Sequence, residues 1–393
     1  MQKVDLELKG TPAAKLDERV RSELELALDA ERRGSKIYQS LRNLSEVIGT
    51  QYGDRVLYEL IQNAHDAHPA GDHGKIAIRL VAEGPEKGSL YVANGGVGFR
   101  DEDVDAIRNI GTTAKEVGEG IGNKGLGFRS IEALTDDPRI YSQSTAKRSG
   151  RFEGYCFRFG DGDEIEALLV SLGAEQAIKK KVADTIPRYL VTLPLDDQPP
   201  DAVAYARRSF ATVVVVPLHS PEAVRLATEQ IRALANLDVP LLLFLDRIGE
   251  VRIDISVPDE RPFRRILRRR QERLGQVTGL ADCELYQVEV GDRHRFLVVR
   301  REVEKERVLD AVQRSLSRAP QLKRWLDWKG EPVVSIAVSL NKDGIGAGRL
   351  YNFLPMGERA TAPLLGYLDA PFGSSSPGPS AWTLAHSSSA NRR

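Results

Sequence analysis

Cysteine is scarce. The 393 residues contain two, Cys156 and Cys283, which excludes a disulfide scaffold and a four-cysteine zinc site and fits a reducing, cytoplasmic setting. Long hydrophobic runs are also missing. The best, residues 213–218, is strand-sized and falls far short of the roughly 18 apolar residues a membrane span needs. The first ten residues, MQKVDLELKG, are polar and charged, so no secretory hydrophobic region is present. Net charge is absent as well: 56 Lys and Arg balance 56 Asp and Glu. That balance argues against gripping nucleic acid by overall electrostatics. What is present, 41% hydrophobic and 28% charged residues, is the composition of a globular protein with material for about two or three domains.

Along the chain, residues 14–65 read as helix, with Leu24, Leu28, Ile37, Leu41, Leu44 and Val47 near helical spacing. Residues 49–53 break that run, and Asp54 is a plausible N-cap for the next helix. Residues 75–81 and 89–93 then read as a hairpin, followed by a glycine-dense stretch over 95–127. Further strands are expected at 140–142, 155–159, 189–193 and 212–216, an amphipathic helix over 220–237, and a buried strand at 240–245. The later half predicts helices at 263–274 and 304–317 and strands at 251–257, 284–290, 295–301, 332–339 and 349–353. Strands and helices alternate irregularly, which points to α+β rather than doubly wound α/β. Residues 373–393, rich in Ser, Pro and Ala, read as a disordered tail.

Four stretches carry chemistry. In the helix after Asp54, Glu59, Asn63 and Asp66 recur at i, i+4 and i+7 and share a face, opposite Leu57, Leu60, Ile61 and Ala64. Such a face is ordinary on an amphipathic helix. It also combines a carboxylate base, an amide oxygen suited to Mg²⁺ and a second carboxylate, the mixture that metal-assisted phosphate chemistry uses. Next comes Asn94-Gly95-Gly96-Val97-Gly98 at the end of a strand, and then Gly111-Thr112-Thr113-Ala114-Lys115 and Gly122-Asn123-Lys124-Gly125-Leu126-Gly127. Glycines let backbone N–H groups approach phosphate closely, and a helix over 128–133 would present its positive end to the anion. Residues 120–125 satisfy the dinucleotide G-x-G-x-x-G pattern, but no strand precedes them. The Walker pattern fails because Asn123 precedes Lys124 and no Ser or Thr follows it.

In order and spacing these blocks resemble the GHKL ATPases of the Bergerat fold, whose boxes E-x-x-x-N-x-x-D-A, D-x-G-x-G and G-x-x-G-x-G match residues 59–67, 94–98 and 122–127. The wording ELIQNAHDA, NIGTTAK and GNKGLGFRSI, with the later Leu350-Tyr-Asn-Phe-Leu-Pro-Met356, is most similar to the sacsin-type members. The likeness is strong over 50–135, moderate near 205–250 and 335–372, and absent elsewhere. It implies a two-layer sandwich of helices on a mixed sheet over about 1–250, then a smaller α+β coupling domain over about 251–372. It also implies ATP and Mg²⁺ as ligands. Glu59 would orient or deprotonate the attacking water, Asn63 would ligate Mg²⁺, and Asp66 would sit beside the adenine and ribose. Gly96 and Gly98 would make room for the base, and Thr212 would touch it. Thr112 and Lys115 would belong to a lid over 110–124, with Gly122, Lys124, Gly125 and Gly127 around the phosphates. From the second domain Lys342, with Arg349 behind it, would reach the γ-phosphate.

One departure is chemical: the adenine-reading Asp of these ATPases is Asn94 here. Its amide oxygen still accepts from an adenine amine, but a neutral amide also donates, which leaves GTP open. Slow hydrolysis with ATP-driven dimerisation is the expectation from relatives. A non-hydrolysing nucleotide sensor and a histidine-kinase-type phosphotransferase are the alternatives, although residues 15–48 contain no phosphoacceptor His. Sacsin-like proteins usually continue past the Phe-Leu-Pro segment, so the resemblance implies an ATPase-and-coupling core whose effector part is missing, truncated or supplied by a partner.

Other features read as structural. His65, His68 and His73 match no standard zinc spacing. Seven arginines between Arg261 and Arg273 read first as a solvated helix face and second as an anionic or nucleic-acid surface. Trp325 and Trp328, three residues apart, read as packing at a helix end, and the two cysteines as buried and inert.

Overall fold

The computed structural model describes residues 10–52, 55–84, 87–108, 127–144, 149–235, 240–258, 260–292, 294–328, 332–341, 348–356 and 360–370. The architecture is α+β, in two compact units. The first comprises residues 1–114, 124–236 and 247–267; the second comprises 115–123, 237–246 and 268–393.

The first unit opens with helices α1 (Pro12–Arg32), α2 (Ile37–Tyr52) and α3 (Val56–Asp66). The break expected at 49–53 falls slightly later, between Tyr52 and Val56, and a second, unexpected break at residues 33–36 divides the long helical run into α1 and α2. Gly34, at φ +69, ends α1: its N–H bonds Glu31 O and the N–H of Ser35 bonds Ala30 O, the double closure that a left-handed residue after a helix permits. Asp54 lies outside the described residues; Arg55 occupies the N-cap of α3 without a side-chain bond. The orphan N–H of Leu57 is satisfied from outside the helix, by Gln230 Oε1 at 3.1 Å.

The chain continues through β1 (Gly74–Ala82), β2 (Gly88–Asn94), α4 (Asp101–Arg108), a 3₁₀ turn (Gly127–Ala133), β3 (Arg139–Ser142) and β4 (Cys156–Phe159). Then come α5 (Gly162–Ser171), α6 (Gln176–Thr185), a 3₁₀ turn (Arg188–Leu190), β5 (Thr192–Pro194), α7 (Pro200–Arg207), β6 (Thr212–Leu218), α8 (Pro221–Leu234) and β7 (Ile248–Ser256). The expected hairpin forms, with β1 antiparallel to β2 and Ile78 opposite Val92. Strand order is β7-β1-β2-β6-β3-β4-β5, with β7 parallel to β1. Side chains alternate along each strand. Tyr91, Ala93, Tyr141, Val213 and Val215 share a buried cluster with Ala202, Tyr205 and Ala206 of α7. The opposite set, Ile76, Ile78, Leu80, Val92 and Val214, is buried on the side where α3 and α8 pack. Helices α4 to α7 are short, 8 to 10 residues each, too brief for helical periodicity to stand out in the sequence.

The second unit holds most of β8 (Phe263–Val277, from Arg268 on), β9 (Leu280–Val290), β10 (His294–Glu302), α9 (Lys305–Ser315) and a 3₁₀ turn (Pro320–Asp327). It ends with β11 (Val333–Ser339), β12 (Arg349–Asn352), β13 (Leu354–Pro355) and β14 (Tyr367–Asp369). Their order is β13-β12-β14-β11-β10-β9-β8.

Two expectations fail here. Residues 263–274 form strand β8, not a helix: Leu267 and Arg269 are buried while Arg268 and Arg270 are exposed, a period of two. Residues 240–245 are buried throughout yet form turns rather than a strand. Among the arginines, Arg264 pairs with Asp254 at 3.2 Å and Arg273 with Glu284 at 2.9 Å. Arg265 donates to Ala235 O. Arg269 is buried against Leu243 O, where desolvation pulls its guanidinium down to about 10. Trp325 and Trp328 stack at 5.2 Å and pack with Val312 of α9, as expected. Both cysteines are buried, and burial pushes the Cys156 thiol up to about 11. Residues 373–393 lie outside the described residues.

Candidate nucleotide site

Helix α3 is amphipathic as expected, with Leu57, Leu60, Ile61 and Ala64 buried. Along its other face exposure is graded: Asn63 is exposed, Glu59 half-buried, and the Asp66 side chain only 2% exposed. Asp66 Oδ1 lies 3.2 Å from Nδ1 of His65, whose ring is also buried. His68, 1% exposed, holds Ala64 O through Nδ1 at 2.7 Å, and its ring occupies the space a side chain at Gly74 would need. These histidines are packed into the fold, and the described residues contain no group of three His, Cys, Asp or Glu positioned for a metal.

The C-terminal end of α3 docks on the second box. Val97 N donates to Ala67 O at 2.8 Å, bringing the turn 95–99 against the residues just after Asp66. A Cβ at Gly96 would sit 2.2 Å from Ala67 O, and one at Gly98 would sit 2.1 Å from Gln143 O. At both positions the glycine lets the protein's own backbone approach closely. Asn94 Oδ1 accepts from Gly96 N at 3.2 Å, so the amide that departs from the expected Asp also shapes the turn.

Across the sheet Asn94 lies in register with Thr212, and Thr212 with Ser142. Two further bonds extend the contact: Ala211 N to Asn94 O at 2.8 Å and Gln143 N to Ala211 O at 2.7 Å. Thr212 is 2% exposed, and its Oγ1 lies 3.4 Å from Ser142 Oγ. Gly127 begins the 3₁₀ turn, which runs to Ala133 in place of the expected helix. Thr112, Lys115, Gly122, Lys124, Gly125 and Lys342 lie outside the described residues. Arg349 stands on β12, opposite Tyr367.

Four residues with evident roles went unforeseen. Arg108 and Arg129 flank residues 109–126, and both engage the turn Arg188–Leu190. Arg108 Nε bonds Leu190 O at 3.3 Å, and its Nη2 bonds Arg19 O at 3.1 Å and Glu23 at 3.2 Å. The Arg129 guanidinium lies 3.2 Å over the Tyr189 ring and donates to Ile107 O. Burial lowers it to about 10, and burial likewise raises the carboxyl of Glu132, which accepts from Ser45 Oγ at 2.8 Å. Ser142 and Gln143 end β3; the Gln143 carboxamide is buried, with no hydrogen-bond partner among the described residues. Arg129 was visible as the Phe-Arg-Ser after Gly127; the other three carry no local signal.

The α+β fold, helices on a mixed sheet, is the one that the GHKL resemblance implies. Residues 38–147 match the family described as Sacsin domain. Over 109 residues, 28% of this chain, the sequence is 30% identical to Protein NO VEIN of Arabidopsis thaliana, and that stretch spans 4% of the plant protein's length. The crystal structure of the N-terminal domain of a DNA repair protein aligns over 84% of this chain and 86% of its own, at 11% identity and a TM-score of 0.36. No described helix is long and apolar enough to cross a membrane.

Proposed function

We propose that the chain binds ATP with Mg²⁺ and hydrolyses it slowly, coupling turnover to a conformational change as the sacsin resemblance implies. The observation that supports this most is the docking of Val97 N on Ala67 O, which joins the helix of Glu59, Asn63 and Asp66 to the glycine turn after Asn94. Mg²⁺ suits the donor set: Asn63 offers an exposed hard oxygen, and phosphate and water oxygens complete a six-fold shell. When bound, the ion neutralises charge developing on the phosphates. Glu59, half-buried one turn before Asn63, orients the attacking water and accepts its proton. Asp66 and Asn94 serve the nucleoside, with Asn94 accepting from the adenine amine. The glycines of 122–127 wrap the phosphates, and residues 110–124 close over them.

The test is incubation with γ-labelled ATP and Mg²⁺, comparing wild type with Glu59→Ala and Asn63→Ala. Free phosphate should appear with the wild type and fall at least ~100-fold with Glu59→Ala, the usual worth of a general base. Label transferred to protein would instead mark a phosphotransferase. Binding without turnover in the wild type would mark a nucleotide sensor.

A further inference from the structure

At the end of the first unit's sheet, the row of Asn94 and Thr212 has a third member, Ser142. Residues in register on antiparallel strands project to one face, so Asn94, Thr212 and Ser142 lie side by side with Thr212 in the middle. Ser142 is fully buried, at 0% exposure. Its Oγ accepts the N–H of Phe99 at 2.7 Å, which keeps one proton and one lone pair for its neighbours, Gln143 O at 3.3 Å and Thr212 Oγ1 at 3.4 Å. The outer two members of the row are therefore tied to one turn, Asn94 through Gly96 N and Ser142 through Phe99 N.

A threonine hydroxyl can donate or accept, so alone it does not distinguish purines. Adenine presents an amine donor beside a ring-nitrogen acceptor; guanine presents a carbonyl acceptor beside a ring N–H donor. Discrimination needs the hydroxyl held in one sense. We infer that Ser142 is the specificity-determining positioning residue of this site. With its own proton given to Gln143 O, its Oγ accepts from Thr212, so Thr212 Oγ1 and the anchored Asn94 Oδ1 both present lone pairs, which suit the 6-amine of adenine and oppose the 6-carbonyl of guanine; the preferred ligand is an adenine nucleotide. This rests on the proposed nucleotide site and assigns its base selectivity to a residue outside the three glycine and acidic boxes.

The test measures the dissociation constants of the imido analogues of ATP and GTP, with Mg²⁺, for wild type, Ser142→Ala and Ser142→Thr. The ratio of the two constants is the readout, because general loosening weakens both ligands alike. Wild type should favour the adenine analogue. Ser142→Ala should narrow the preference about fivefold, the worth of one hydrogen bond, and Ser142→Thr, which restores a hydroxyl, should bring it back. If Ser142→Ala does not fold, Ser142→Cys, with its weak donor, should narrow the same ratio. A ratio unchanged by loss of the hydroxyl, a narrowing that Ser142→Thr does not reverse, or a wild type without adenine preference each overturns the inference. A wild type that binds neither analogue overturns the nucleotide site itself.

Discussion

The sheets of the two units are covered differently. All seven residues of β6 in the first unit are buried, with α7 packed on one of its faces. In the second unit burial alternates along β10 and β11, and Val338 is 45% exposed. A strand covered on both sides reads as an unbroken β-branched run, as in Thr212-Val-Val-Val-Val216, whereas a strand covered on one side reads as alternation. The covered sheet also lets polar side chains at its end, Thr212 and Ser142, be held by hydrogen bonds away from water, where such bonds carry more weight.

The sharpest way to break this contrast is at the turn packed against the end of the covered sheet. Gly98→Val would place its Cβ 2.1 Å from Gln143 O, so the variant should lose more than ~3 kcal/mol of stability or fail to fold. Gly162→Ala, with nothing within 4 Å, should be neutral within ~0.5 kcal/mol; denaturant melts compare the two.

The next effect is a matched pair. Val213→Ala, fully buried in the cluster with Tyr141 and Phe210, should cost about 2 kcal/mol from lost burial and a residual cavity. Val338→Ala on β11 should cost under ~0.5 kcal/mol. Equal losses in urea unfolding would show that the second unit's sheet is covered in solution.

A separate effect, comparable in size to the Val213→Ala loss, is pH-dependent and belongs to the second unit. Asp369, 5% exposed, accepts from Phe353 N at 2.6 Å. Burial, opposed by the Phe353 N–H and Arg300 and aided by Asp246, pushes its carboxyl up to about 7. The folded state then binds the extra proton between the unfolded value near 4 and about 7. Stability from this group is full below that window and is lost as pH rises through it, by up to ~1.4 kcal/mol per unit. Asp369→Asn should flatten this slope; chemical unfolding at pH 5 and pH 7 reads it, and an unchanged slope refutes the assignment.

Much of the fold and the spacing of the candidate site residues are legible in the sequence. The β1–β2 hairpin, the buried β6 and the serine-capped α8 each follow from local pattern. The failures have particular causes. Residues 263–274 carry so many arginines that only Leu267 and Arg269 mark the buried side, and a period of two is hard to see from two residues. Residues 240–245 are apolar because they are buried, and burial does not require a strand. Gly34, rather than the glycines near 50, ends the first helix because it adopts φ +69 in a closing bond pattern that composition does not specify.

By itself the sequence determined the residue types and spacing of the site: Glu59, Asn63 and Asp66 on one helix, and glycines wherever backbone must approach backbone. Spacing along a helix or a turn is a local property, so the chain carries it openly. Tertiary structure alone decided how those pieces meet. It placed Ala67 O on Val97 N, set Ser142 and Asn94 on either side of Thr212, and turned Arg108 and Arg129 toward the turn Arg188–Leu190. Those contacts join residues tens of positions apart through sheet register and buried charge, and no local pattern encodes either.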